Sequence, residues 1–151
     1  MTNRPIAPGS GPRLRRYYLI LLLFTAIGMP LLILAALAIA GSIGEATLTA
    51  TIGLTAMLIA SALLLIAVIR ARTSVTTDAI ALTGMRSSGT VAMAAQIIGG
   101  AGGAITLVTG LLQHANGVDL GTEMGGLIAL ICFIPAAAAG TVHRLSRRLT
   151  N

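Results

Sequence analysis

The sequence predicts an all-α membrane protein, a bundle of four transmembrane helices with both termini cytoplasmic. Of its 151 residues, 56% are hydrophobic and only 9% are charged, which is far from the composition of soluble domains. Four long apolar stretches carry no formal charge, and the segments that separate them are alternately basic and acidic. We therefore expect a lipid bilayer to be the solvent of this chain.

The distribution of charge predicts the orientation of the bundle. All ten basic residues are arginines, and they lie in the N-terminal arm, in a middle loop and in the C-terminal tail. In the two other connections every charged residue is acidic: Glu45 in one, and Asp119 and Glu123 in the other. Because positive residues stay on the cytoplasmic side during insertion, every arginine can be cytoplasmic only if the chain crosses four times.

Anionic lipid head groups are the expected counterions of these arginines. Nucleic acid is not an expected partner, because few aromatic residues accompany the basic ones. Lipid contacts are predicted for the arginines nearest the crossings: Arg15, Arg16, Arg70, Arg72, Arg144, Arg147 and Arg148. The use of arginine alone, together with many Ala and Gly residues, suggests a bacterial source, so the expected location is a bacterial plasma membrane.

The predicted organisation has three parts. Residues 1–16 are expected to form a disordered basic arm, since they are rich in Pro and Gly and have little to bury. Residues 17–148 form the transmembrane domain and residues 149–151 a short tail. The predicted helices, each of a length that spans a bilayer, are 17–40, 46–69, 90–112 and 125–142. The first also resembles a cleavable signal peptide, but its apolar run exceeds the ~7–15 residues typical of one.

Two prolines lie inside predicted helices. Pro30 removes the hydrogen bond to the carbonyl of Ala26, and Pro135 frees the carbonyl of Ile131, so a kink is expected near each. Packing explains both prolines more simply than gating does.

The middle loop, residues 71–89, is the longest polar connection and has strand character around Ile80 and Leu82. A short hairpin or an interfacial patch would fit this pattern. In a rival architecture residues 73–120 form a small cytoplasmic β unit, because the third apolar stretch is the weakest of the four. That rival would leave the C-terminal arginines outside the cell.

The third helix carries a seam of small residues on one face, spaced by four, three and four: Gly99, Gly103, Thr106 and Gly110. A small-residue seam lets two helix backbones approach closely, so this helix is predicted to be central in the bundle or at a subunit contact. Gln96 lies near the same face and is the one amide well inside an apolar segment. An interhelical hydrogen bond is its expected role, and a ligand-binding or pore-lining position is the alternative.

Residues that carry chemistry are scarce. The chain lacks HExxH, GxSxG, phosphate-loop and paired CxxC motifs, and the predicted spans contain no acid, base or histidine. Cys132 is interpreted as an apolar filler. A divalent cation could be bound only if the two acidic loops met, through these four residues: Glu45, His114, Asp119 and Glu123. Solvated loop charges are the simpler interpretation, and no cofactor or metal is expected.

These patterns favour a small non-enzymatic integral membrane protein that works through helix contacts, as an accessory or assembly subunit or as a homo-oligomer. The alternative is an oligomeric channel, holin-like pore or facilitator lined by Gln96 and the hydroxyls of the second helix. An enzyme is not expected, because no nucleophile, base or metal set with suitable geometry can be named.

Overall fold

The computed structural model describes residues 3–7, 9–42, 48–116 and 119–151. Its helices are α1 (Ser10–Leu23), α2 (Met29–Ser42), α3 (Leu48–Ser74), α4 (Leu82–Ala115) and α5 (Asp119–Thr150). Four segments are long and apolar enough to cross a membrane: Ser10–Ala38, Ala50–Ser74, Leu82–Gln113 and Gly126–Thr150. The predicted all-α bundle with four membrane-spanning segments is therefore confirmed, and the chain is a candidate multi-pass membrane protein.

The helices extend beyond the predicted bounds at their arginine-rich ends. α4 begins at Leu82 rather than at residue 90, and α5 continues to Thr150, through most of the predicted tail. The 34 residues of α4 span about 51 Å at ~1.5 Å per residue, well over a hydrocarbon core of ~30 Å. Hydropathy marks only the part of a helix in hydrocarbon, whereas the backbone stays helical into the head-group region. Because α4 covers residues 82–115, the rival β unit is wrong.

A small antiparallel sheet joins the N-terminal arm to the middle loop. Strand β1 (Asn3–Pro5) pairs with β2 (Ala79–Ala81), with Arg4 opposite Ile80, and the Ile6 amide donates to the Asp78 carbonyl at 3.1 Å. Val75 forms a single antiparallel bridge with Ile80. The strand character predicted around Ile80 is therefore confirmed, whereas it is wrong for Leu82, which already begins α4.

The N-terminal arm departs from its predicted disorder in the part that the structure describes. Residues 3–5 are a strand and α1 already begins at Ser10, after a turn in which Gly9 has a φ of +79°. The physical reason is that β2 offers backbone partners to the arm. Local composition cannot reveal this pairing, because the two strands are more than 70 residues apart in the sequence.

The two prolines have different local surroundings. A π-helical turn, Phe24–Gly28, joins α1 to α2 just before Pro30, and the Met29 amide donates to the carbonyl of Phe24, five residues back. A π-helical turn of this kind widens the helix locally, and the kink near Pro30 stays a prediction. α5 runs through Pro135 without a break, and the proline ring is fully buried.

The core lies among α3, α4 and α5, while α1 and α2 pack mainly on α3. The largest buried side chains, which also come from α1, α2 and β2, are mostly apolar: Tyr18, Met29, Met57, Leu64, Ile80, Met85 and Ile128. The first span is the least enclosed, with 17% of its most apolar window buried against 33–44% in the other three. The first span, formed by α1 and α2, is thus packed more loosely than the three-helix unit of α3, α4 and α5.

Candidate functional site

The predicted seam of α4 faces the interior of the bundle. A Cβ added at Gly99 would lie 3.2 Å from the Cβ of Ala136 in α5 and 3.3 Å from that of Ala60 in α3. One added at Gly103 would lie 3.3 Å from the carbonyl oxygen of Ala129. The remaining seam residues, Thr106 and Gly110, are buried. The structure therefore places the seam centrally, as predicted for a bundle, and uses it within the chain.

Two tighter glycine contacts were not singled out from the sequence. A Cβ at Gly102 would overlap the Cβ of Ala56 in α3, and one at Gly53 would lie 2.6 Å from Cγ2 of Ile128 and 2.8 Å from Oγ1 of Thr106. The Thr106 hydroxyl donates to the Gly102 carbonyl at 2.7 Å. These contacts set the separation of α3 and α4. The available signal was the spacing of Gly53, Ala56 and Ala60, which places small residues along one face of α3.

Gln96 lies in the groove between α4 and α5, directly over Gly140. A Cβ added at Gly140 would be 3.2 Å from Nε2 and 3.4 Å from Oε1 of Gln96. The side chain is half-buried. Within the described part of the chain, no hydrogen bond to this amide is formed. The predicted interhelical bond is therefore not made inside the described bundle, and the amide remains available to another molecule.

The surface of α4 beside Gln96 is apolar and partly flat. Ile97 is 58% exposed and Met93 48%, and Ala104 is also exposed. A Cβ added at Gly100 would have nothing within 4 Å. Gln96, Gly100 and Ala104 are spaced by four, so they follow one line along the helix. We call this line the α4 outer face.

The hydroxyls of α3 do not form a path through the described bundle. Thr51 and Thr55 are exposed, and Thr55 donates to the Thr51 carbonyl at 2.7 Å. Ser61 is the one buried side-chain oxygen without a partner among the described residues. The interior at this level is filled by Met57 and Leu64, both fully buried. Any polar path would have to lie on the outside of the bundle.

Contacts at one end of the bundle gather the three basic segments. Arg4 donates to the Leu149 carbonyl at 3.4 Å, Arg70 to the Ser87 hydroxyl at 2.7 Å, and His143 Nδ1 lies 2.9 Å from the Gly89 carbonyl. All ten arginines consequently lie at this end, which we call the arginine end. Asp78 is the one acidic side chain at this end among those that the structure describes, and it is exposed.

Buried polar contacts tie the helices together beneath the arginine end. The Tyr18 hydroxyl of α1 lies 3.8 Å from the sulfur of Met85 in α4, and Ser146 of α5 donates to the same sulfur at 3.5 Å. Ser88 donates to the Ala67 carbonyl of α3 at 2.7 Å. This cluster fixes how the four spans meet at that end.

A groove opens at the arginine end between α1 and α5. Its volume is about 460 Å³, and it is lined by Leu14, Tyr17, Thr141, Arg144, Leu145 and Arg148. A recess of about 520 Å³ adjoins it across Leu14 and Tyr17 and adds Arg13 to the lining. Of the arginines predicted to contact lipid, this groove brings together Arg144 and Arg148.

No group of three or more His, Cys, Asp or Glu that could hold a metal occurs in the described part of the chain. The side chains of the candidate cation set, Glu45, His114, Asp119 and Glu123, lie outside the described residues. Cys132 is free and buried, and its Sγ lies 3.2 Å from the Gly53 carbonyl.

Comparison with protein-family models, curated proteins and solved structures finds no match. Two features of the molecule bear on its function, the α4 outer face with Gln96 and the arginine end.

Proposed function

We propose that this chain is a small non-enzymatic integral membrane protein that acts through helix contacts, as an accessory or assembly subunit of another membrane protein or as a homo-oligomer. The observation that carries the proposal is Gln96, a half-buried amide on α4 without a hydrogen bond in the described bundle. It lies ten residues, about 15 Å, along α4 from Arg86, and hence near the middle of a ~30 Å hydrocarbon core.

An unpaired amide at that depth is costly, by several kcal/mol on transfer scales. A hydroxyl, carbonyl or amide from a neighbouring transmembrane helix would relieve this cost, and such bonds contribute about 0.6–2 kcal/mol in membranes. Along the α4 outer face, Gly100 and Ala104 leave room for a second backbone to approach. The neighbouring small-residue seam is already used within the chain, so the α4 outer face is the surface left for a partner.

The arginine end is proposed to face the cytoplasm, which gives N-in and C-in topology in a bacterial plasma membrane. The support is the concentration of ten arginines at that end, where Asp78 is the one described acidic side chain, because lysine and arginine determine which loops stay inside. Anionic head groups of the inner leaflet then balance this charge.

The test compares Gln96→Leu with Ile97→Leu, a neighbouring exposed position where no polar group is lost. The measured quantity is the fraction of protein in its native complex after extraction in mild detergent. Loss of one interhelical hydrogen bond of about 0.6–2 kcal/mol lowers the association constant about three- to thirtyfold, whereas Ile97→Leu leaves it near the wild-type value. An unchanged complex in Gln96→Leu would contradict the proposal.

A pore formed between several copies is the second candidate. Gln96 on α4 and the exposed Thr51 and Thr55 on α3 favour it, since all three lie on outer surfaces where copies could enclose a shared path. Ion or solute flux through liposomes that contain only this protein, reduced by Gln96→Leu, would support a pore. Intact oligomers without flux would exclude it.

A further inference from the structure

We propose that the groove between the start of α1 and the end of α5 binds the phosphate head group of an anionic phospholipid. The groove is separate from the α4 outer face, so the proposal does not depend on the helix contacts above. Two guanidinium groups, those of Arg144 and Arg148, lie one turn apart on α5 and line it. Leu14 and Leu145 supply its apolar part.

The positive charge of this groove is not balanced by an acidic side chain among the described residues, so an anion would be bound favourably. No ion pair involving Arg144 or Arg148 is formed within the described residues, and the acid at the arginine end, Asp78, lies in the loop before β2. Arg13 lines the adjoining recess and adds a third positive charge. Guanidinium groups match phosphate oxygens in geometry as well as in charge, and Tyr17, which lines the same groove and is 42% exposed, carries a further donor.

The apolar lining selects a lipid over a soluble phosphate. Leu14 and Leu145 are half-buried and line the groove, and Ile20, about one turn after Tyr17 on α1, is 68% exposed. Acyl chains would cover these surfaces, whereas a free phosphate ester would leave them uncovered. Arg144 and Arg148 stand where long basic side chains reach the head-group level at the end of a span.

A bound lipid would also connect parts of the fold that protein contacts connect weakly. α1 packs mainly on α3, and its span has the smallest buried share of the four. A head group held by α5 with its chains against α1 would join these two helices on the open side. Occupancy of the groove therefore predicts tighter docking of α1.

The experiment is native mass spectrometry of the full chain in detergent, titrated separately with phosphatidylglycerol, phosphatidylcholine and glycerol phosphate. We expect one phosphatidylglycerol per chain, bound about tenfold or more tightly than phosphatidylcholine. The double variant R144Q/R148Q weakens this binding about tenfold or more, because charge-assisted contacts to phosphate are lost. The control R4Q/R86Q removes the same charge from two exposed positions at the arginine end, outside the groove, and has a much smaller effect.

A second variant keeps the test decisive if R144Q/R148Q fails to fold. Thr141→Trp fills the groove but keeps every arginine, and with wild-type helicity by circular dichroism it should lose the bound lipid too. Equal weakening in R144Q/R148Q and R4Q/R86Q would overturn the proposal in favour of diffuse surface charge. Displacement of the lipid by equimolar glycerol phosphate would overturn the choice of lipid and assign the groove to free phosphate esters.

Discussion

Substitution of Gly102 by alanine tests the contact that sets the spacing of α3 and α4. A Cβ at Gly102 would overlap the Cβ of Ala56, whereas one at Gly100, two residues earlier on the same helix, would meet nothing within 4 Å. An added methyl group is therefore crowded at Gly102 and unhindered at Gly100. Gly100→Ala is therefore a matched control for Gly102→Ala.

The expected magnitude follows from these surroundings. To restore a normal carbon–carbon separation of about 3.5–4.0 Å, α3 and α4 would have to move apart by at least about 1 Å at Ala56. Overpacking of this kind costs about 1–3 kcal/mol, offset at both positions by a gain of about 0.5–1 kcal/mol for replacing a helical glycine. Gly102→Ala should therefore be less stable than Gly100→Ala by about 1–3 kcal/mol.

Labelling of Cys132 measures how often the bundle opens. This residue is the one cysteine of the chain and is fully buried, so a thiol-reactive dye labels it only when the bundle opens. If opening is reversible and fast relative to labelling, the labelling rate is proportional to the opening constant. A difference of about 1–3 kcal/mol then makes Gly102→Ala react about five to 150 times faster than Gly100→Ala. Equal labelling rates for the two variants would refute the close α3–α4 contact.

Three further predictions concern the arginine end. Ile80→Ala, at a fully buried position of β2, should lower the free energy of unfolding by about 2–4 kcal/mol in detergent unfolding titrations; a loss under about 0.5 kcal/mol would contradict the burial of this strand. Ser88→Ala should lower the free energy of unfolding by about 0.6–1.7 kcal/mol, because it removes the donor to the Ala67 carbonyl. Ser87→Ala, whose hydroxyl lies nearer the surface, should lower it by less. The reverse order would contradict the buried bond. A cysteine at Thr150, in a chain without the native cysteine, should react with a membrane-impermeant maleimide in inverted vesicles and not in intact cells; labelling in intact cells would contradict the N-in, C-in topology.

The membrane-spanning segments could be predicted because the bilayer imposes one simple rule, a long apolar stretch without charge. Gly99, Gly103 and Thr106 could be placed on one face by helical spacing alone, and the structure places that face in the interior. Spacing does not reveal which neighbour a face meets. The contact of Gly102 with Ala56 could therefore not be predicted, although it is closer than the contacts of Gly99.

The arginine end was predictable as a charge pattern but not as a site. The groove depends on Tyr17 of α1 and Arg144 of α5 lining the same space, although they lie more than 120 residues apart in the sequence. The strand pairing of Arg4 with Ile80 is non-local in the same way. Hydropathy and composition report on local preference, so contacts of this kind require the folded chain.

The measurement that tests the central claim most directly is the mass and composition of the tagged wild-type protein, extracted from its native membrane in mild detergent. Helix contacts through the α4 outer face predict a complex larger than one chain, either a homo-oligomer or a stoichiometric assembly with another membrane protein, that loses mass when Gln96 is replaced by leucine. A single chain with bound lipid and detergent alone, in wild type and variant alike, would contradict the proposed function.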